Sequence, residues 1–445
     1  MTGPAADTIA AGGFDRIDPP DTEIYLDCVH CGFCLPTCPT YLVLGNEMDN
    51  PRGRIYLTRA ISEGRSKITD RFVEHMNLCL LCRACETACP SGVKFGFLME
   101  AARGQIERNY QYPPAEKRFR DHVLRTFTDL DRLETLTGLL RFYQQSGLQR
   151  LVRASGVLSL FGRLGKMEAL LPPIPDQRLR KELPEVLPAR GQKRARVGFL
   201  AGCVQRFFLP QVNASTTRAL AENGFEVVTP REQGCCGSLL VHEGEREHAK
   251  AFARRTIDTF ERAGVDFIVV NAAGCGSVMK EYWELLHSDA VYRTRAEAFS
   301  QKVRDTSELF AQTPANGRLR ELPLKVTYHD ACHLAHGQKV RQQPRNLLKA
   351  IPGLQLVELA ESDFCCGSAG VYNVFHPEVA QKFLDRKIDR IKETGAEVVV
   401  SANPGCTFQI ERGLKERGLG IRVVHPMELL DWSYRGAMPS GLRRI

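Results

Sequence analysis

The chain has 445 residues, of which 43% are hydrophobic and 25% charged, and its formal net charge is +8. This size and composition predict two or three folded domains, and they exclude a disordered chain and a small protein held together by disulfides. The positive charge comes without a nucleic-acid recognition motif and without aromatic residues interleaved with basic ones, so we expect no nucleic-acid partner.

The first residues, MTGPAADTIAAGGF, lack a basic segment followed by an apolar run, and nowhere do 18 apolar residues follow one another. Neither a signal peptide nor a transmembrane helix is therefore predicted. The chain nevertheless carries 16 cysteines. In a protein of this size we expect them to be reduced thiolates in the cytoplasm, where metal binding is the main reason to collect cysteines.

Residues 16–110 are predicted to form a helical two-cluster ferredoxin domain, because they contain two cysteine runs of one pattern. CVHCGFCLPTCP (28–39) and CLLCRACETACP (79–90) both read C-x2-C-x2-C-x3-C-P. In two-cluster ferredoxins the fourth cysteine of such a run ligates the other cluster. The expected ligands are Cys28, Cys31, Cys34 and Cys89 for one 4Fe–4S cluster, and Cys79, Cys82, Cys85 and Cys38 for the other.

Three further observations bear on this region. Zinc is the alternative metal, although two complete runs of this spacing favour iron–sulfur clusters. His30 lies inside the first run, and we expect it to be exposed or beside the ligands, since the thiolates already complete the count. Between the runs, apolar residues recur at helical spacing, for example at Ile55, Ile61 and Met76.

Residues 111–190 are predicted to form a helical connecting region, with a helical pattern in LETLTGLLRFYQQSGLQRLVRASGVLSLFGRL, which starts at Leu133. Its Leu, Phe and Tyr residues are compatible with a packed helical layer, a subunit contact or a helix that lies on a membrane surface.

From Arg196 onward, short apolar runs alternate with helical segments, which favours α/β units. This half also repeats itself, so residues 191–318 and 319–445 are predicted to be two copies of one cysteine-rich domain. The spacing from the first cysteine to the vicinal pair is 32 residues in one copy and 33 in the other, and from the pair to the last cysteine 39 and 40. The cysteines of the copies are Cys203, Cys235, Cys236 and Cys275, then Cys332, Cys365, Cys366 and Cys406. They follow predicted strands, at the sheet edge where α/β proteins usually bind ligands.

The sequence contains no GxGxxG after a strand, no Walker A loop and no GxSxG. We therefore expect no flavin or nicotinamide site and no catalytic residue on this chain. A pair of clusters transfers single electrons, so the electron donor and acceptor must lie on other molecules.

Together, CVHCGFCLPTCPTY, CLLCRACETACPSGV, QGCCGS and DFCCGSAG resemble the iron–sulfur subunit of bacterial glycolate oxidase over nearly the whole chain, and the PRGRI stretch (51–55) agrees with it. Iron–sulfur subunits of glycerol-3-phosphate dehydrogenase, lactate-utilisation proteins and heterodisulfide reductase subunits share the ferredoxin motifs. The resemblance implies an α+β multidomain fold: a helical ferredoxin-like domain, a helical connection and two α/β CCG domains.

The resemblance also implies a function. A partner flavoprotein would oxidise glycolate to glyoxylate, or a similar 2-hydroxy acid, and this chain would relay the electrons to quinone or another respiratory acceptor. It would be the electron-transfer subunit of an oxidoreductase complex, cytoplasmic or peripheral on the inner face of the membrane. The alternatives are a thiol or disulfide reductase subunit of the heterodisulfide reductase type, a relay for lactate or glycerol-3-phosphate oxidation, and a zinc-binding scaffold.

In heterodisulfide reductase-like CCG domains the cysteines hold a noncubane iron–sulfur centre, and the last cysteine belongs to a C-x2-C pair. Cys275 and Cys406 lack that second cysteine. Four sulfurs per copy suffice for a further metal centre, but reduced thiols remain an equal alternative. His329, His333 and His336 could supply a nitrogen ligand to the second copy, although hydrogen-bonded or surface roles are more usual for such histidines.

Overall fold

The N-terminal part of the protein is helical, and the C-terminal half is built from two α/β units, as predicted. The computed structural model describes residues 13–158, 168, 171, 173–175, 178–181, 183–313 and 319–439. The four domain limits stay predictions, and residues 314–318 beside the last limit lie outside the described residues.

Capping residues begin the two helices that lie between the cysteine runs. The Asn50 side chain accepts a hydrogen bond from the Gly53 N–H, and the Thr69 hydroxyl accepts one from Phe72. The apolar faces of these helices pack with Leu98 into one core. The helices of this part are Thr22–Leu26, Pro39–Leu44, Pro51–Ser62, Asp70–Asn77, Ala84–Ala88 and Phe95–Asn109, with a 3-10 turn at Glu47–Asp49.

The connecting region is helical as well. Val123 and Leu124 of its first helix belong to the core of the first α/β unit, so this helix ties the region to that unit. The described helices are Pro114–Thr128, Leu130–Gln145, Leu148–Ala154 and Arg178–Lys181. The predicted helical pattern beyond residue 158 falls mostly outside the described residues.

The four strands of the second sheet have the same order as the four parallel strands of the first, which confirms the internal repeat. The first runs β1-β3-β2-β4-β5 and the second β7-β6-β8-β9, with parallel pairing everywhere except between β1 and β3. Because both faces are covered by helices, the central strands are continuous apolar runs. The strands are β1 (Val186–Leu187), β2 (Ala195–Leu200), β3 (Phe225–Val228), β4 (Phe267–Val270), β5 (Val303–Asp305), β6 (Lys325–His329), β7 (Gln355–Val357), β8 (Val398–Ser401) and β9 (Arg422–Val424).

The two repeats share a hydrophobic core that contains residues of both sheets, among them Val197 and Val326. Across this junction Arg218 pairs with the buried carboxylate of Asp431 at 2.6 Å. The helices of the repeats are Val204–Phe208, Pro210–Glu222, Ser238–Glu243, Arg246–Arg262, Ala273–Lys280, Tyr282–Leu285, Arg293–Lys302, Thr306–Gln312, Gln342–Lys349, Tyr372–Phe375, Pro377–Thr394, Pro404–Glu416 and Pro426–Arg435, with a π-helical turn at His333–Gly337.

Candidate iron–sulfur relay

The structure groups the eight ferredoxin cysteines around two small cavities, and each group mixes the two runs. A cavity of about 30 Å³ is lined by Cys85 and by the four cysteines that we call the outer centre, which are Cys28, Cys31, Cys34 and Cys89. A second cavity of about 20 Å³ is lined by the four that we call the inner centre, which are Cys38, Cys79, Cys82 and Cys85. This is the crossed grouping that the sequence predicts, while ligation itself stays a prediction.

Both cysteine runs adopt the same unusual backbone. In the first run His30 and Gly32 have positive φ angles of 54° and 85°, and in the second run Leu81 and Arg83 have 51° and 62°. These residues occupy equivalent places between the first three cysteines. Left-handed residues turn successive peptide N–H groups to one side, which suits a loop that wraps an anionic centre. A non-glycine residue in this conformation carries strain, and strain of this kind concentrates at functional sites.

Arg83 is the bulkiest of these left-handed residues, and two ion pairs hold it in place. Its guanidinium lies 2.9 Å from Glu86 and 2.6 Å from Glu281 of the first repeat, and the Arg83 side chain is buried. The first run has a glycine at the matching position. The second run therefore uses this residue to attach the ferredoxin part to the first repeat.

The two centres differ in solvent access. Cys31 is exposed to solvent and the other three outer cysteines are half-buried. All four inner cysteines are buried. Val29 and Phe33, beside the outer centre, expose 69% and 64% of their surface. His30 is exposed, as expected. The outer centre thus faces the surface and the inner centre faces the rest of the protein.

The donor set fits 4Fe–4S clusters. None of the eight thiols forms a disulfide; four of them line the inner cavity and five line the outer one, because Cys85 borders both. Burial raises the pKa of the Cys34 thiol to about 11 and that of Cys85 well above its usual range. Because metal ligands must be thiolates, such buried thiols hold their protons until a metal displaces them. Cations lie close by: Arg52 lines the outer cavity, and Arg54 and Arg83 line the inner one.

In the first repeat the four cysteines meet although they come from three separate segments. The Cys203 and Cys235 sulfurs are 3.6 Å apart, and hydrogen bonding to Cys235 together with burial raises the pKa of Cys203. Cys236 lies within hydrogen-bonding range of Cys235 and Cys275. Both members of the vicinal pair therefore reach the same site, at the carboxyl edge of the sheet.

The second repeat gathers Cys332, Cys365, Cys366 and Cys406 in the same way. Here Cys332 also packs against Cys82 of the inner centre in one buried cluster. The Asn403 amide donates to the Cys406 sulfur at 3.5 Å. The second repeat is thus the one that touches the inner centre directly.

A cavity of about 270 Å³ lies between the repeats and the ferredoxin part, and we call it the central cavity. Seven of the eight repeat cysteines line it, together with Cys79 of the inner centre. The strand ends of the two repeats face each other across it, since the Gly274 N–H donates to the Asn403 side chain at 3.2 Å. Arg103 closes one side by donating to the carbonyls of Cys79 at 2.6 Å and His242 at 2.5 Å.

The three histidines of the second repeat have different environments. His333 Nε2 contacts the Leu81 carbonyl at 3.0 Å and His336 Nδ1 the Thr87 hydroxyl at 2.9 Å, which confirms hydrogen-bonded roles for both. Burial lowers the pKa of His333 to about 3, so it is neutral. His329 is buried, its ring lies within hydrogen-bonding range of the Cys366 thiol, and neither ring nitrogen reaches an oxygen or nitrogen partner among the described residues.

Family models match four separate stretches of this chain. A 4Fe-4S dicluster domain matches residues 24–93, and a cysteine-rich domain matches residues 197–280 and again 326–411. A model of the linker region of the glycolate oxidase iron-sulfur subunit matches residues 115–171. A probable glycolate oxidase iron-sulfur subunit of Bacillus subtilis is 41% identical over 91% of this chain and 93% of its own.

The chain belongs to the family of glycolate oxidase iron-sulfur subunits. The glycolate oxidase iron-sulfur subunit of Escherichia coli is also similar, with 35% identity over 85% of this chain and 88% of its own. A lactate utilization protein from an Exiguobacterium species is 33% identical over 53% of this chain and 96% of its own. The α+β fold, with a dicluster domain, a linker and two cysteine-rich domains, is that of the family.

Sequence reasoning found every cysteine of these sites, but it missed Arg83, Arg103 and Glu281. No motif marks these residues. The one signal in the sequence was Arg83 at the place where the first run has glycine.

Proposed function

We propose that this chain is the electron-transfer subunit of a glycolate oxidase complex, with the outer centre as entry point and the inner centre as the next carrier. The single observation that carries this direction is the gradient of burial, from the exposed Cys31 to the buried inner cysteines. When bound, each 4Fe–4S cluster accepts and releases one electron. Cys28, Cys31, Cys34 and Cys89 would hold one cluster, and Cys38, Cys79, Cys82 and Cys85 the other.

Two cysteines each line two neighbouring cavities, which supports a continuous route for the electrons. Cys85 lines both the outer and the inner cavity, and Cys79 lines both the inner and the central cavity. The chain itself keeps water out of the inner centre through the buried residues around it, such as Leu80 and Phe95. Arg54, whose side chain is 1% exposed, places a positive charge at the inner cavity. A buried cation there favours the reduced form of a bound cluster.

The electron donor that we propose is a flavoprotein subunit, which oxidises glycolate to glyoxylate and docks on the exposed face at Val29 and Phe33. Apolar residues next to a solvent-exposed centre suit a contact that excludes water and shortens the distance to a flavin. The acceptor that we propose is quinone or another respiratory carrier. No flavin or nicotinamide motif occurs in this chain.

We propose a location in the cytoplasm and at the inner face of the membrane. Among the described residues, no helix has both the length and the hydropathy needed to cross a bilayer. The connecting helices expose Leu139, Phe142 and Leu151 by 64%, 66% and 70%. Such apolar side chains, next to Arg141 and Arg150, fit a peripheral contact with anionic lipid. Flotation of the complex with anionic vesicles tests this proposal, and loss of flotation in Phe142→Asp is expected.

The relay is tested by purifying the chain anaerobically with its flavoprotein partner and following glycolate-dependent dye reduction. Cys31→Ser and Cys82→Ser should each lower the rate at least about 100-fold, because a missing carrier interrupts the only route that the exposed and buried centres provide. Flavin reduction by glycolate should be unchanged, which serves as the internal control. Full dye reduction in either variant would refute the relay.

One observation favours a second candidate, a disulfide reductase. Seven cysteines converge on the central cavity, which is large enough for a small ligand. A chain that reduced a disulfide with electrons from a supplied donor, and not with those from glycolate, would decide for this alternative.

A further inference from the structure

We infer that the second repeat binds a single divalent metal ion of the zinc class through His329, Cys366 and Cys406, and that the first repeat lacks this site. One donor atom from each of these three residues lies within 4.8 Å of the other two, and all three residues are buried. His329 is 1% exposed. Neither of its ring nitrogens reaches an oxygen or nitrogen partner among the described residues, and the ring lies within hydrogen-bonding range of the Cys366 sulfur, so a ring nitrogen is placed to act as a ligand.

The close spacing of these atoms favours one ion over a cluster. In a tetrahedral site, Zn–S bonds of about 2.3 Å and Zn–N bonds of about 2.0 Å place the ligand atoms roughly 3.5–3.8 Å apart. A cubane carries each thiolate on a different iron, so its ligand atoms lie further apart. Among the described residues, no three ferredoxin cysteines approach one another as closely as His329, Cys366 and Cys406 do.

The first repeat has no matching nitrogen. His329 ends β6 three residues before Cys332, and Leu200 ends β2 three residues before Cys203. The register agrees, since Leu200 pairs with Val270 on β4 and His329 pairs with Ser401 on β8. An apolar pair therefore stands where the second repeat has two polar residues. The buried Ser401 hydroxyl also has no hydrogen-bond partner among the described residues.

The donor set determines the class of ion. Two thiolates and one imidazole are borderline-soft ligands, which zinc prefers and which magnesium and calcium do not. Cys365 lies next to Cys366 and Cys332. The thiol of Cys365 or that of Cys332 can therefore serve as the fourth ligand. Four protein ligands would close the coordination sphere, as in structural zinc sites. Such an ion does not change oxidation state, so this role goes beyond the electron relay.

The test uses the full chain, purified anaerobically with its partner, and a count of zinc and iron per chain. We expect about one zinc in the wild type. His329→Leu, which introduces the residue of the first repeat, should lose that zinc and keep its iron and both ferredoxin signals in electron paramagnetic resonance. His242→Leu is the control: it also replaces a histidine beside the central cavity, one whose side chain is 12% exposed, and it should keep the zinc.

If His329→Leu does not fold, a second variant and a measurement on the wild type still test the inference. His329→Cys supplies a sulfur in place of the nitrogen and should retain zinc. In the wild type, X-ray absorption at the zinc edge should show one imidazole in a shell dominated by sulfur. Zinc retained by His329→Leu, an all-sulfur shell, or a wild type that holds extra iron instead of zinc would overturn the inference. None of these outcomes affects the relay, which is read from glycolate-dependent dye reduction.

Discussion

The ferredoxin part and the paired repeats both collect eight cysteines, but they do so by opposite means. In the ferredoxin part each centre gathers three cysteines from seven consecutive residues, and only its fourth cysteine comes from the other run. In the repeats, Cys203, Cys235 and Cys275 come from the ends of different strand–helix units and meet only because parallel strands end at one edge. Local spacing thus fixes the first kind of site, and sheet topology fixes the second.

This difference explains why the cysteine motifs predicted one kind of site for the ferredoxin part, whereas they left several kinds possible for the repeats. A C-x2-C-x2-C loop leaves few geometries other than wrapping a cluster. Four cysteines at strand ends can hold a cluster, bind one ion or remain thiols, and the neighbouring residues decide among these outcomes. In the second repeat the decisive neighbour is His329, and in the first repeat its place is taken by Leu200.

The largest expected effect comes from breaking the crossed ligation. Cys89→Ser should abolish the signal of the outer centre, and Cys38→Ser that of the inner centre, with about half of the ferredoxin iron lost in each case. Electron paramagnetic resonance with iron analysis measures both. Cys275→Ser, in the first repeat, should keep both signals. If each variant lost the centre of its own run instead, the crossed assignment would be wrong.

The next effect concerns the contact between the two regions. Arg83→Gln leaves Glu281 buried without its cation, and breaking a buried ion pair costs up to about 3–5 kcal/mol. The cost is lower here, because burial already raises the pKa of Glu281 to about 7 and the carboxyl can take up a proton. We expect a lower urea midpoint and a labile inner centre, measured under anaerobic conditions by iron release. Arg71→Gln removes an exposed pair with Glu74 and should change stability by less than about 1 kcal/mol. Equal stability of the two variants would show that the ion pair between Arg83 and Glu281 does not stabilise the fold.

A smaller effect tests the exposed face of the ferredoxin part. Phe33→Asp places a charge at the proposed flavoprotein contact, and a residue central to an interface contributes roughly 1–3 kcal/mol. Affinity for the partner, measured by anaerobic calorimetry, should fall about tenfold or more with the iron content unchanged. Phe142→Asp is an equally exposed control in the connecting region and should bind the partner normally. Unchanged affinity in Phe33→Asp would move the contact elsewhere.

The smallest effect is a pH dependence within the paired repeats. His425 lies in the second repeat, and its Nε2–H donates to the Asn271 carbonyl of the first repeat at 2.9 Å. Burial lowers its pKa from 6.5 to about 4. The unfolded chain then binds the proton more readily than the folded one, so stability is lost as the pH falls from 6.5 towards 4. The loss contributed by this residue is about 1 kcal/mol between pH 7 and pH 5.5.

His425→Asn should reduce this slope, as measured by urea unfolding at the two pH values. His248→Asn is the control, because that histidine is 74% exposed and should leave the slope as it is. A slope that is identical in wild type and His425→Asn would mean that the junction between the repeats does not respond to this residue.

The sequence alone determined the ferredoxin helices, the two cluster motifs, the repeat and the eight strand-end cysteines. It could do so because hydrophobic periodicity and cysteine spacing are local properties, and because a duplicated pattern is visible without a structure. Even the crossed grouping of Cys38 and Cys89 followed from spacing, since a fourth cysteine after three residues and before proline belongs to the neighbouring centre.

Only the tertiary structure decided which centre faces the solvent, which repeat touches the inner centre, and which histidine lies against the Cys366 and Cys406 sulfurs. These properties depend on segments far apart in the chain, such as Arg83 with Glu281 and His329 with Cys366. Burial and unpaired polar atoms arise when such segments pack against one another. For that reason two repeats with the same cysteine pattern acquire different surroundings, and with them different chemistry.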